Sequence, residues 1–424
     1  MTRAGRLLVL AVAFLGWMFA GVEMSIFVPA TRPAIEDFLR HETSLDARSL
    51  AVLADEWLSL YLMAFFLGAA LGGALFGWLG DRFGRVRALG LSILCYSIVT
   101  GLSYLATGPW QLLGLRFIAC LGIGGLWPAA VALVTEAWPA VSRPALAGLI
   151  GAAANVGFLL LGVIMIQHPV TPDSWRWVLL LGASPALLGV FVLLAVPESP
   201  DWLEGRWRIV GLTAASPLRE VFRPPLLRLT IIGICLGTVP LLGGWASGQR
   251  IVPWAGQVDT NLKAAAQTFQ ATGAVIGSLA GGWFASRVGP RISYFAISLG
   301  SLALSLGLFF FLEPGGGAFL PAVFALGLVS TSFYGWLPWF LPGLFPTPVR
   351  ATGVGVSFNW GRILSAAAVA ASTPLSGVFG GDVALMAGTL SLVYALGAGL
   401  AFLIPEAVAP GSPANRPSGW PRDP

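Results

Sequence analysis

Long apolar segments follow one another along almost the whole chain, separated by short polar turns. Twelve of them are about 20 residues long, the length that an α-helix needs to cross roughly 30 Å of hydrocarbon. A soluble protein could not cover so many apolar segments, because 56% of its 424 residues are hydrophobic and only 10% are charged. The sequence therefore predicts an all-α integral membrane protein with twelve transmembrane helices.

The first apolar segment follows Arg3 and Arg6, an arrangement that is also typical of a secretory signal peptide. The segment is longer than the apolar region of a typical signal peptide, and it contains Glu23. We therefore interpret it as the first transmembrane helix.

Six predicted helices lie on each side of a polar stretch. The expected organisation is an N-terminal six-helix bundle at 1–197, a cytoplasmic linker at 198–227, a C-terminal six-helix bundle at 228–405 and a cytoplasmic tail at 406–424. Most of the 24 basic residues then fall on the side that holds both termini, which the positive-inside rule assigns to the cytoplasm. We expect a multi-pass protein of the inner (plasma) membrane, monomeric, with the lipid bilayer and not nucleic acid as its partner.

Two motifs occur once in each half of the chain. Gly77, Arg82 and Gly84 match Gly282, Arg287 and Gly289, and Pro139, Arg143 and Gly148 match Pro346, Arg350 and Gly355. The offsets within the two sets, 205 and 207 residues, are both close to half the chain length. This pattern indicates a duplicated six-helix unit around a central cavity, as in many secondary transporters, whose substrate site lies near the middle of the membrane.

The stretch GWLGDRFGRVRALG at 77–90 resembles the signature loop of the major facilitator superfamily. RFIACLGIGGLWPA at 116–129, PESPDWL at 197–203 and the segment 345–362 are similar to its sugar-porter, aromatic-acid and sialate-type symporter branches. The resemblance runs from about residue 10 to 405. It departs from the family pattern at Ser286, where an aspartate is usual, and at Pro144, where a glycine is usual.

The resemblance implies that the 77–90 loop closes the cytoplasmic side while the outside is open. The residues expected to form this latch are Asp81, Arg82, Gly84, Arg85, Glu136, Arg143 and Arg350. The alternatives are a topology signal with an ordinary tight turn and, for Glu136 and Arg143, a solvated surface pair. With Ser286 in the matching place, the second copy is expected to latch less strongly.

Glu23 and Arg362 are the ionisable residues predicted deepest in the membrane. A carboxylate in a transmembrane helix is costly unless it is paired or protonated, so Glu23 is our candidate proton carrier. The alternative is a neutral glutamic acid bonded to a neighbouring helix. Arg362 requires an anionic substrate, Glu23 or backbone carbonyls as its partner, and a purely structural role is the alternative.

Other polar side chains within the predicted helices are weaker candidates for substrate contacts. Asn359 lies one turn before Arg362, Asn155 is the repeat mate of Arg362, and Arg116 either attracts an anion or snorkels to the interface. Gln270 and Trp245 offer hydrogen bonds and a stacking surface, or else act as interhelical packing.

These observations favour a transporter of a small polar or anionic organic solute, an organic acid or a sugar-like compound, working by alternating access with proton symport. A proton-driven efflux antiporter and a non-transporting membrane sensor are the alternatives. We expect no enzyme, cofactor or metal site, because no phosphate-binding loop, HExxH or GxSxG motif is present in the sequence.

Overall fold

The computed structural model describes residues 1–39, 46–138, 142–208, 216–371 and 378–405, and these ranges fold into α-helices joined by short turns. The predicted tail at 406–424, part of the predicted linker and Pro139 of the second motif lie outside the described residues.

Within the described residues up to 195, seven helices make six membrane crossings. They are α1 (Arg3–Phe38), α2 (Ala47–Phe83), α3 (Arg85–Leu102), α4 (Pro109–Ala137), α5 (Arg143–Gln167) and the pair α6 (Trp177–Ala183) and α7 (Ala186–Ala195). Two short helices follow in the predicted linker, α8 (Pro200–Arg208) and α9 (Pro217–Val221).

The second half repeats this order. It contains α10 (Leu226–Leu242) with α11 (Ile251–Gly256), α12 (Thr260–Val288), α13 (Pro290–Phe311), α14 (Phe319–Phe340), α15 (Arg350–Asn359) with α16 (Gly361–Ala370), and α17 (Val383–Leu390) with α18 (Val393–Leu400). A π-helical turn, Gly243–Ser247, separates α10 from α11.

The helix ends follow from local sequence. Asp46 and Asp259 precede α2 and α12, and their carboxylates accept backbone N–H groups of the first turn, which would otherwise lack partners. Gly84 and Gly289 each separate two helices with φ of 118° and 89°, a backbone conformation that only glycine adopts without strain. Because these glycines are repeat mates, the same turn joins the second and third crossings of each half.

Ten helices or runs of helices in the described ranges are long and apolar enough to cross a membrane. The other two crossings are α12, whose first turns are rich in polar residues, and α15–α16, which a turn at Trp360 interrupts. The first crossings are longer than the sequence suggested, since the apolar parts of α1 and α2 continue into polar turns without leaving the helix.

The two repeats meet along two seams. In one seam α2 packs on α15 and α16, and in the other α5 packs on α12. Close approach is required in both: a Cβ at Gly77 would lie 2.7 Å from the carbonyl oxygen of Ala351, and one at Gly282 would collide with the carbonyl of Pro144. Inside each repeat the second crossing packs most extensively on the fourth, α2 on α4 and α12 on α14, as expected for a duplicated unit.

Candidate functional site

Glu23 forms an ion pair inside the first repeat. It lies on α1 with no exposed surface, and Arg116 Nη1 on α4 donates to its two carboxylate oxygens at 2.6 and 2.7 Å. The hydroxyl of Thr100 on α3 donates to Oε1 at 2.9 Å. Arg116 therefore neither snorkels nor stands free for an anion, and the partner of Glu23 is Arg116 and not Arg362.

Arg362 is buried on α16, and its guanidinium makes no hydrogen bond or ion pair with any described residue. Its Nε and Nη1 atoms are both inaccessible to solvent and without a partner. Its Cζ lies 4.9 Å from the ring centre of Phe65 and 5.6 Å from that of Phe358. Aromatic faces stabilise a cation by a few kcal/mol at most, less than the cost of burying an unpaired charge. The site is therefore electrostatically incomplete and suited to an anion.

Phe65 on α2 contacts both buried arginines. The Cζ atom of Arg116 lies 5.4 Å from its ring centre, close to the 4.9 Å of Arg362, and the ring itself is 1% exposed. The two guanidinium groups are therefore no more than about 10 Å apart, where two bare charges repel by on the order of 1–2 kcal/mol at an effective dielectric constant of 20. No sequence pattern around Phe65 distinguishes it from an ordinary core residue.

The weaker sequence candidates make interhelical contacts. The side-chain amide of Asn359 donates to the carbonyls of Gly124 and Gly355, although its Oδ1 has no partner. Asn155 donates to Ser278 Oγ at 3.1 Å, which joins α5 to α12 across the second seam. Gln270 donates to the carbonyl of Gly248 at 3.0 Å.

Trp245 lies on the π-helical turn and packs against Phe65 and Phe66 of the other repeat, with ring centres 5.6 and 5.1 Å apart. Isolated π-helical turns often occur at functional sites because they reorient one side chain. Here the turn directs Trp245 toward the ring that the two arginines share.

At one end of the bundle, Asp81 binds α2 to the start of α15. Its carboxylate accepts hydrogen bonds from the backbone N–H of Ala351 and Thr352, at 3.1 and 2.8 Å, and from the Thr352 hydroxyl. An anion at the N-terminus of a helix is favoured by the helix dipole and by the free N–H groups there. Asp81 thus has a direct role in holding the two repeats together.

Glu136 binds two arginines, one from each repeat. Arg85 donates to it through Nε and Nη2, at 3.2 and 3.1 Å, and Arg350 donates through Nη1 at 2.9 Å. Arg85 also donates to Asp81 at 2.6 Å and to the carbonyl of Thr347 at 2.7 Å. We call Asp81, Arg85, Glu136, Arg350 and Thr352 the latch.

Three residues predicted in the latch lie outside it. Gly84 forms the turn between α2 and α3 and contributes no side chain. Arg82 is exposed beside Trp78 and Phe83, because it points away from the partner repeat. Arg143 turns back to the carbonyl of Trp138, 3.4 Å from its Nε, while the oxygens of Glu136 are already occupied by other donors.

Arg350 makes the same backward contact to Phe345 with its own Nε, also at 3.4 Å. The two repeat mates thus share their local geometry, and Arg350 differs by its additional bond to Glu136. Ser286 donates to Trp283 of its own helix and forms no contact equivalent to that of Asp81.

The PESPDWL motif contributes latch contacts that the sequence did not assign. Glu198 accepts the backbone N–H groups of Arg85 and Val86 at the start of α3, Ser199 donates to Glu136, and Trp202 Nε1 donates to the Asp81 carbonyl at 2.8 Å. Burial raises the pKa of the Glu198 carboxyl, against the opposing effect of these backbone donors. The PESPDWL motif was visible in the sequence as a family resemblance, but the sequence did not show which helices its side chains would contact.

Within the described residues no three His, Cys, Asp or Glu side chains come together as a group that could hold a metal ion.

Known proteins similar to this chain are membrane transporters. The sialic acid transporter NanX of Escherichia coli (strain K12) is 26% identical over 328 residues, which cover 77% of this chain and 80% of that protein. The cis,cis-muconate transport protein of Acinetobacter baylyi (strain ATCC 33305 / BD413 / ADP1) is 28% identical over 311 residues, covering 72% of this chain and 74% of that protein.

The proton:xylose symporter XylE bound to 6-bromo-6-deoxy-D-glucose has the same fold, with a TM-score of 0.73, 18% sequence identity and coverage of 95% of both chains. The prediction of twelve helices in two repeats is thereby confirmed. Because the relatives are solute transporters, this chain is a membrane transporter of small solutes and not an enzyme. The family model of the Major Facilitator Superfamily matches residues 6–369, and the chain belongs to that superfamily.

Proposed function

We propose that the protein takes up a small organic carboxylate together with protons, by alternating access across the inner membrane, with both termini in the cytoplasm. The observation that carries this proposal is the buried Arg362 guanidinium, whose Nε and Nη1 have no partner among the described residues. A carboxylate presents two oxygens in a plane, which is the geometry that a guanidinium binds best.

The names of the relatives support an acid as substrate. Sialic acid and cis,cis-muconate, which two of the similar transporters carry according to their names, are both carboxylates at neutral pH. They differ greatly in shape and in hydroxyl content, so the shared group is the carboxylate. This is the group that would meet Arg362.

Proton coupling in this proposal begins at the Glu23–Arg116 pair. While Glu23 is ionised, it neutralises Arg116 at 2.6 Å. When Glu23 takes up a proton, the positive charge of Arg116 loses its counter-charge, and the region between the repeats favours an anion more strongly. One proton and one monoanion then cross the membrane together without moving net charge.

The latch closes one side of the protein during alternating access. Asp81, Glu136 and their partners hold one end of the bundle closed, and we assign this end to the cytoplasm on the distribution of basic residues. Breaking these contacts opens that end, which requires that the protonated, anion-loaded protein no longer favours the latched arrangement.

The test uses purified protein in liposomes that contain a pH-sensitive dye. Sialic acid, cis,cis-muconate, benzoate and xylose are offered outside in turn, to wild type, Glu23→Gln and Arg362→Gln. We expect acidification of the interior with at least one acid and none with xylose. Glu23→Gln should abolish it, and Arg362→Gln should reduce it strongly at an acid concentration that half-saturates wild type.

Uptake of a labelled acid with no pH change would refute symport, and acidification with xylose alone would refute the carboxylate. If an inward proton gradient instead drives a preloaded acid out, the protein is an efflux antiporter. If no compound moves in either direction, the sensor alternative is favoured.

A further inference from the structure

The ring of Phe65 lies close to both charged sites that the proposed function uses. It belongs to α2 of the first repeat, is 1% exposed, and lies 5.4 Å from Arg116 Cζ and 4.9 Å from Arg362 Cζ. We propose that Phe65 is the positioning residue that couples proton binding at Glu23 to substrate binding at Arg362. This inference rests on the proposed function and names the side chain through which proton binding and substrate binding influence each other.

Phe65 is fixed to the first repeat. One turn further along α2, Gly68 approaches α4 so closely that a Cβ there would lie 2.6 Å from the Phe117 carbonyl and 2.9 Å from Cys120 Cβ. Arg116 lies on the same stretch of α4, with Phe27 of α1 on its other side at 3.9 Å. The ring therefore moves as one body with Arg116 and Glu23.

The ring packs on Phe66 of its own helix and also on two residues of the second repeat. Arg362 lies on α16, and Trp245 on the π-helical turn packs against Phe65 with ring centres 5.6 Å apart. A relative movement of the repeats leaves Phe65 beside Arg116 but changes its distance from Arg362. Phe65 thus links the proton site of one repeat to the anion site of the other.

The ring also keeps the charges separate. It is a buried apolar group beside both guanidinium groups, and the ion pair of Glu23 is with Arg116. The field at Arg362 then depends on whether Glu23 holds a proton, because the low-dielectric ring transmits the charge of Arg116 with little screening. With a small side chain at position 65, water or Glu23 would screen the charge of Arg362 whether or not Glu23 holds a proton.

The experiment separates coupling from binding. It uses the acid that wild type takes up, in liposomes with an interior one pH unit more alkaline than the outside. For one proton per monoanion, wild type should accumulate the acid about tenfold, since one pH unit corresponds to a factor of ten. Phe65→Ala should accumulate it less than about twofold, while exchange of labelled for unlabelled acid without a gradient stays within about threefold of wild type.

Phe66→Ala is the matched control. Phe66 is buried beside Phe65 and also packs on Trp245, at 5.1 Å, but no described arginine lies over its ring. We expect this variant to retain about tenfold accumulation. Phe65→Tyr, which keeps the aromatic face, should do so as well.

Three results would overturn the role of Phe65. They are full accumulation by Phe65→Ala, equal loss of accumulation and exchange in that variant, and the same uncoupling in Phe66→Ala. If Phe65→Ala does not fold, Phe65→Leu decides: accumulation at the wild-type level excludes the aromatic ring, and reduced accumulation with intact exchange supports it. Wild type that equilibrates the acid without accumulating it would overturn the proposed symport itself.

Discussion

Glu136 and Arg350 are 214 residues apart in the chain, yet Arg350 Nη1 donates to Glu136 Oε1 at 2.9 Å. Arg85 binds the same carboxylate from within the first repeat. The side chains of Glu136 and Arg85 are both fully buried, so this part of the latch is shielded from water.

Glu136→Gln is expected to weaken the latch strongly. Removing one partner of a buried ion pair typically costs about 3–5 kcal/mol, since Arg85 would keep only Asp81 as a charged partner. We expect lower thermal stability and faster labelling of a cysteine placed at Thr347 by a thiol reagent. Arg143→Gln is the control, and an equal effect of both variants would contradict the assignment of Glu136.

The Glu23–Arg116 pair should show non-additive stability. Glu23→Gln and Arg116→Gln each leave one buried charge unpaired, whereas the double variant leaves none. We expect the double variant to be more thermally stable than Arg116→Gln and at least as stable as Glu23→Gln. Unfolding temperatures of the purified proteins in detergent test this, and strictly additive losses would indicate that the two groups do not interact.

Arg362→Gln should weaken the binding of the transported acid. A hydrogen bond to a charged group contributes about 1.5–3 kcal/mol, so the half-saturation concentration should rise by roughly 10- to 100-fold. Arg362→Lys should recover only part of this, because an ammonium group cannot bind a carboxylate through two parallel bonds. Arg228→Gln removes an exposed arginine at the start of α10 and should leave uptake unchanged.

Gly84 and Gly289, the two turn glycines, should differ in how much a substitution by alanine destabilises the protein. Both have backbone angles that cost about 1–3 kcal/mol for other residues, with φ of 118° at Gly84 and 89° at Gly289. A Cβ at Gly84 would also collide with the Glu198 carboxylate, whereas one at Gly289 meets nothing within 4 Å. Gly84→Ala should therefore destabilise more than Gly289→Ala, and comparison of their unfolding temperatures tests the order.

Much of the architecture could be predicted from the sequence because membrane spans and repeats depend on local patterns. The lengths of the apolar runs predict the crossings, and the offset between Gly84 and Gly289 predicts the duplicated turn that both glycines form. Asp81 could be assigned to the latch because the loop that contains it resembles the signature loop of a known family.

The pairing of charges could not be predicted in the same way. The sequence offered Glu23 as a partner for Arg362 and did not connect it with Arg116, because that pairing depends on how α1 and α4 pack. Glu136 pairs with Arg85 and Arg350 instead of the nearby Arg143 because of the direction in which each side chain leaves its helix. Contacts between residues that are far apart in the chain produce no repeating pattern that a single sequence would reveal.

The latch draws its acids from the first repeat alone. The positions that match Asp81 and Glu136 in the second repeat are Ser286 and Gly343, while the position in the first repeat that matches Arg362 is Asn155. Two copies of the first repeat would therefore carry Asp81, Glu136 and Glu23 twice but no counterpart of Arg362. Two copies of the second would carry the arginines but neither acid. Since the duplication the two halves have therefore diverged, and each carries charged side chains that the other lacks.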